Sequence, residues 1–178
     1  MSDDVRIWTT VGSAGTLSAT DLAKVTLDNA VITLGHDVAP PVSLAAEDPS
    51  VVFPPSTAVV RYNVTPVDGL FPVDDMGPIT RFHYVLQLTY RGTVRARLVQ
   101  FDLSSGTEKD LLQFDSASFA PAHSFATNGG TTTFDSSVMD FVNFAYYVEA
   151  TLSASAIAVG NPAAIAVVKV LASADFSK

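Results

Sequence analysis

Three histidines, His36, His83 and His123, are the side chains of this sequence best suited to ligating a metal or moving a proton. They lie far apart, with no His-x-His or His-Glu-x-x-His spacing, so local geometry presents no two of them together. A cupin-type metal centre starts from closely spaced histidines on one strand, and that start is missing. Only a fold that gathers them beside loop carboxylates would make an enzyme of them; the spacing leaves them as surface or edge residues. The carboxylates cluster in two loops. Asp68, Asp74 and Asp75 surround Phe71 and Met76, and Glu47 and Asp48 occupy a second Pro-rich stretch. Ca²⁺ takes six to eight oxygen ligands, which makes Asp68, Asp74 and Asp75 the candidate ligands and Ca²⁺ the one cofactor to weigh. Asp-Gly-Leu-Phe-Pro-Val-Asp-Asp does not follow EF-hand spacing, however, and solvated turn formers are the expected role.

Basic and aromatic residues suggest a different chemistry. Arg81, Arg91, Arg95 and Arg97 are four of the ten basic residues, packed into one short stretch of an acidic chain. Arg95 and Arg97 project from one strand face, where guanidinium forks could pair with a carboxylate or another anion; a solvated outer face is the competing role. Eleven Phe, five Tyr and one Trp are available. Trp8, Tyr62, Phe71, Tyr90 and Tyr147 could stack on sugar faces, and with Arg95 and Arg97 they form the candidate ligand set of a carbohydrate-binding module. Most aromatics of a β-protein are nevertheless core. No Gly-x-Gly-x-x-Gly, Walker or Gly-x-Ser-x-Gly motif occurs. Without a cysteine, disulfides, thiolate metal sites and a thiol nucleophile are excluded.

The elements that must position these residues read as strands. The last third, Phe141–Ala172, is two apolar runs around Gly160-Asn161-Pro162. The run Ala154–Ala172 carries one charge, Lys169, and nears the ~20 residues that span a bilayer. The Gly-Asn-Pro cluster would strand backbone groups in lipid, so the stretch is expected to be a long closing hairpin instead. Its first arm alternates with period two. Its second arm is apolar on both faces: Ala164, Ala166, Val168 and Val170 on one, Ile165, Val167, Lys169 and Leu171 on the other. A strand apolar on both faces wants cover on both, and a second copy of the chain is the simplest cover for Ile165, Val167, Lys169 and Leu171.

Other strands are expected at Val5–Val11, Val25–Leu34 (folded near Asp28-Asn29), Thr57–Val64, Leu111–Asp115 and Thr131–Phe134. A hairpin is expected over Ile79–Leu103, turning at Arg91-Gly92 and pairing Leu88 with Val94, Leu86 with Ala96 and Tyr84 with Leu98. Ser104–Thr107 and Asn128-Gly129-Gly130 read as turns, and Thr20–Lys24 as one helical turn capped by Thr20. Proline-rich connections at Ala39–Pro55 and Pro66–Pro78 suit Greek-key crossings. The expected fold is therefore all-β: a single antiparallel sandwich over residues 1–178, jelly-roll-like, with about eight or nine strands.

Bulk composition sets the outer bounds. The 178 residues suffice for one domain burying roughly 70% of its unfolded surface. Hydrophobic residues make up 48% and charged ones 16%, with mean hydropathy +0.30, an apolar surplus that self-association would hide. A net charge of −8 and a pI near 4.5 disfavour nucleic acid as partner. The acidic start MSDDVRIW is no signal segment, so a cytoplasmic chain, or one assembled into a particle, is expected. The expected function is a non-enzymatic homo-oligomeric protomer of capsid, shell or appendage type. Carbohydrate binding is the alternative, and a small enzyme the weaker one.

Overall fold

The computed structural model describes residues 5–35, 56–66, 81–136, 139–154 and 162–175; at 5, 6, 81, 131–136, 174 and 175 only the backbone course is described. Runs rich in Val, Leu, Thr and Tyr form strands because these side chains suit a pleated, half-buried surface. Eleven strands result: β1 (Val5–Val11), β2 (Thr16–Leu17), β3 (Val25–Asp28), β4 (Val31–Leu34), β5 (Ser56–Val64), β6 (Arg81–Arg91), β7 (Thr93–Asp102), β8 (Glu108–Asp115), β9 (Ala126–Ser136), β10 (Phe144–Ala154) and β11 (Ala164–Asp175). One helical turn, α1 (Ala19–Leu22), is capped by Ser18 rather than Thr20: the Ser18 hydroxyl accepts from the Asp21 N–H at 3.1 Å.

Two antiparallel sheets face each other. The first runs β3-β4-β11-β6-β9, with β1 continuing β4 along the same edge of β11; the second runs β2-β5-β10-β7-β8. From β4 onward every connection except β7–β8 crosses between the sheets. Eight strands, β4-β11-β6-β9 over β5-β10-β7-β8, thus interleave as the two Greek keys of a jelly roll. The expected sandwich is present, with more strands than expected because β2 and the β3–β4 pair are short, separate elements.

Both long hairpins expected from the sequence are absent. β6 and β7 belong to different sheets, as do β10 and β11. β10 instead pairs Val148 with Tyr62 and Leu98, and β11 pairs Leu171 with Ile7 and Val85. Gly92 does take a left-handed conformation (φ 72°), but at a corner that carries the chain across the sandwich, where its N–H donates to Ala122. Leu86, Leu88, Val94 and Leu98 do share the interior, all fully buried. They meet across facing sheets, ~10 Å apart, not side by side in one.

Asn128-Gly129-Gly130 is also no turn; it lies within β9, opposite a bulge between Val85 and Gln87. A Cβ on Gly130 would come within 2.9 Å of the carbonyls of Gln113 and Leu86. The glycine permits β8 and β9 to approach at the sandwich edge. The β3–β4 hairpin and the β7–β8 turn form as expected.

Candidate functional site

The outer face of the second sheet carries the densest chemistry. β5, β10, β7 and β8 align Arg61, Glu149, Arg97 and Gln113 in one row, because register partners of neighbouring strands point the same way. Glu149 is the hub. Its Oε2 accepts from Arg61 Nε at 2.8 Å, and its Oε1 accepts from Arg97 Nε and Nη2 at 3.0 and 2.8 Å. Arg97 Nη1 also donates to Asp110 at 2.8 Å, and Arg95 pairs with Asp115 at 3.0 Å. Tyr147 donates to Glu108 at 2.6 Å beneath the Arg61 guanidinium, which lies 5.1 Å from its ring centre. Burial acts to raise the Glu149 pKa, but the bonds from Arg61 and Arg97 outweigh it and hold the carboxyl below its ordinary value. Burial first, and then the bond to Glu108, pushes the Tyr147 phenol up to about 12.

This row borders a shallow depression of about 430 Å³ lined by Arg95, Arg97, Asp110, Gln113, Asp115 and Glu149. Its arginines are already answered by carboxylates of the same face. Three guanidinium groups, of Arg61, Arg95 and Arg97, meet four carboxylates, of Glu108, Asp110, Asp115 and Glu149, so an incoming anion would have to displace an internal partner. The expected Arg95/Arg97 face exists, and its ion pairs link β5, β10, β7 and β8.

Three of the five aromatics proposed as a sugar platform are buried. Trp8, Tyr62 and Tyr90 are 6%, 2% and 0% exposed. Tyr62 donates to the Gly12 carbonyl at 2.9 Å, and Tyr90 accepts from Asn128. Tyr62 and Tyr90 point inward because they alternate with the polar pairs Arg61/Asn63 and Thr89/Arg91, and Trp8 points inward with Ile7 and Thr9 on the other side of its strand. Tyr147 lies under Arg61. Phe71, the proposed Ca²⁺ ligands Asp68, Asp74 and Asp75, and His36, Glu47 and Asp48 lie outside the described residues. His83 is exposed on the outer face of the first sheet, and His123 is exposed in the segment before β9. Among the described residues no three His, Asp or Glu converge as metal ligands, and no helix is long and apolar enough to cross a membrane.

The expected self-association residues divide. Ile165 is fully buried inside the protomer, so no partner is needed to cover it. The cause is a bulge at Ala166, between Ile165 and Val167, which turns Ile165 to the same side as Val168 and Val170. Val167, Lys169 and Leu171 do lie on the outer face, half-buried, and the register surrounds them with residues the sequence reading passed over. Ile7, Leu171 and Val85 make one row; Thr9, Lys169 and Gln87 the next; Val11, Val167 and Thr89 the third. Ile7 and Val11 are 48% and 41% exposed. Alternation along Ile7-Trp8-Thr9-Thr10-Val11 was the available signal: placing Trp8 inside puts Ile7 and Val11 outside.

No protein-family model matches the chain, and no curated protein matches it.

Proposed function

We propose that the chain is a non-enzymatic building block, a jelly-roll protomer that works as a homo-oligomer of capsid, shell or appendage type. The observation that carries this is the outer face of the β1–β11–β6 layer: two apolar rows, Ile7–Leu171–Val85 and Val11–Val167, flanking Lys169. Charged and polar side chains normally fill such a face on an isolated sandwich, and apolar rows exposed on it mark contact with another molecule. The opposite sheet supports the same reading, since its polar groups are spent on one another and not arranged around a vacant reaction centre. Jelly rolls also serve lectins and cupins; burial of Trp8, Tyr62 and Tyr90 speaks against the sugar-binding alternative. Size-exclusion chromatography with light scattering tests the proposal. A defined multimer at micromolar concentration is expected; a clean monomer overturns it.

A further inference from the structure

Resting on that self-association, we infer that the contact is head-to-tail: the apolar tip formed by Leu103 and Val142 of one copy seats on the Lys169 face of the next. The tip is built from two adjacent turns at one end of the second sheet. Asp102 holds the first, its Oδ1 accepting from the Ser104 N–H, the Ser104 hydroxyl and the Ser105 N–H at 2.7–3.1 Å. Asp140 holds the second, accepting from the Val142 and Asn143 N–H groups and from Asn143 Nδ2 at 2.7–3.1 Å. The turns are tied together by the Leu103 N–H donating to the Asn143 carbonyl at 3.1 Å. The result is a rigid presentation of two apolar side chains to solvent: Leu103 is 57% exposed and Val142 85%. The backbone of both turns is already ordered by the fold, so docking the tip costs little backbone entropy.

Charge selects the seat. The Ser104 and Ser105 bonds hold Asp102 ionised, and those of Asn143 and Val142 do the same for Asp140. Both carboxylates lie in the turns that carry Leu103 and Val142. The tip is therefore apolar with an anionic rim. The outer face of the first sheet is its complement: apolar rows on either side of Lys169, whose ammonium meets no carboxylate among the described residues. Tip and seat are different surfaces on different sheets, so the contact is heterologous. Repetition closes a ring if the rotation allows and extends an open array if it does not.

Three variants test this. Val142→Asp spoils the tip and Val167→Asp spoils the seat, each at an exposed or half-exposed position, so both are expected to keep the fold, which circular dichroism checks. Each variant alone is expected to be a monomer. Mixed, they retain one intact tip and one intact seat between them and are expected to give dimers and nothing larger. Lys169→Gln is expected to weaken assembly several-fold. A Val142→Asp protein as fully assembled as its parent, a mixture that stays monomeric, or an unchanged Lys169→Gln overturns the head-to-tail contact while leaving self-association standing. A monomeric parent chain overturns both.

Discussion

Glu149 is the residue on which most of the polar structure of the second sheet converges, with only 15% of its side chain exposed. Bonds to charged groups contribute roughly 1.5–3 kcal/mol when partly shielded, against 0–1 for solvent-exposed pairs. Glu149→Gln removes the charge that answers Arg61 and Arg97, and we expect a loss of about 1–2 kcal/mol, read as a lower urea midpoint with unchanged slope; an unmoved midpoint would refute the hub role. The acid response follows from the same group and from Asp102. Both carboxyls sit below their ordinary values, Asp102 at about 2 through its bonds from Ser104 and Ser105. A folded-state pKa below the unfolded one means that the folded chain binds protons less well. That stability is present above pH ~4.5 and is lost as pH falls toward ~2. Urea midpoints measured across this range should fall with pH, and a smaller fall is expected in Glu149→Gln.

At the level of elements, two backbone positions carry specific demands. The β3–β4 turn places Asn29 and Ala30 at φ 45° and 71°, the mirror-image turn that suits a right-twisted hairpin. Asparagine adopts this conformation at less cost than alanine, so Ala30→Gly should gain up to about 1 kcal/mol, seen as a raised thermal midpoint. Gly12 is the reverse case. A Cβ there would collide with the Ile165 carbonyl, and the Gly12 carbonyl receives the buried Tyr62 hydroxyl. Gly12→Ala should cost about 2–3 kcal/mol by forcing the β1–β2 connection off β11; an unaltered melting temperature would show that the turn yields freely. The bulge at Ala166 belongs to this scale too. One extra residue decides that Ile165 is core while Val167 and Leu171 are surface, and strict alternation along the strand cannot announce it.

For the whole molecule, the decisive question is how the apolar outer face is covered. Val167 is half-buried and faces outward, so Val167→Asp should leave a folded protomer and yield smaller species on size-exclusion. An unfolded variant would instead place Val167 inside the protomer's own core, where an unpaired charge costs several kcal/mol. The sequence by itself determined the strand content, the inward sides of β6, β7 and β10, the β3–β4 and β7–β8 turns and the apolar surplus of the last strand. Each of these is local: a period of two fixes which side of a strand is apolar, and turn residues fix where the chain reverses. It could not determine which strands lie side by side. Leu86 and Ala96 bury the same surface whether they pair within a sheet or face each other across a sandwich, so Ile79–Leu103 and Phe141–Ala172 fit a hairpin and a sheet crossing equally well. Only the tertiary structure decided for crossings, and with that choice Arg95 and Arg97 went to one side of the molecule and Val85 and Gln87 to the other. It likewise assembled Ile7, Lys169 and Val85 into one face from three distant strands, a juxtaposition set by long-range pairing and therefore invisible to any local pattern.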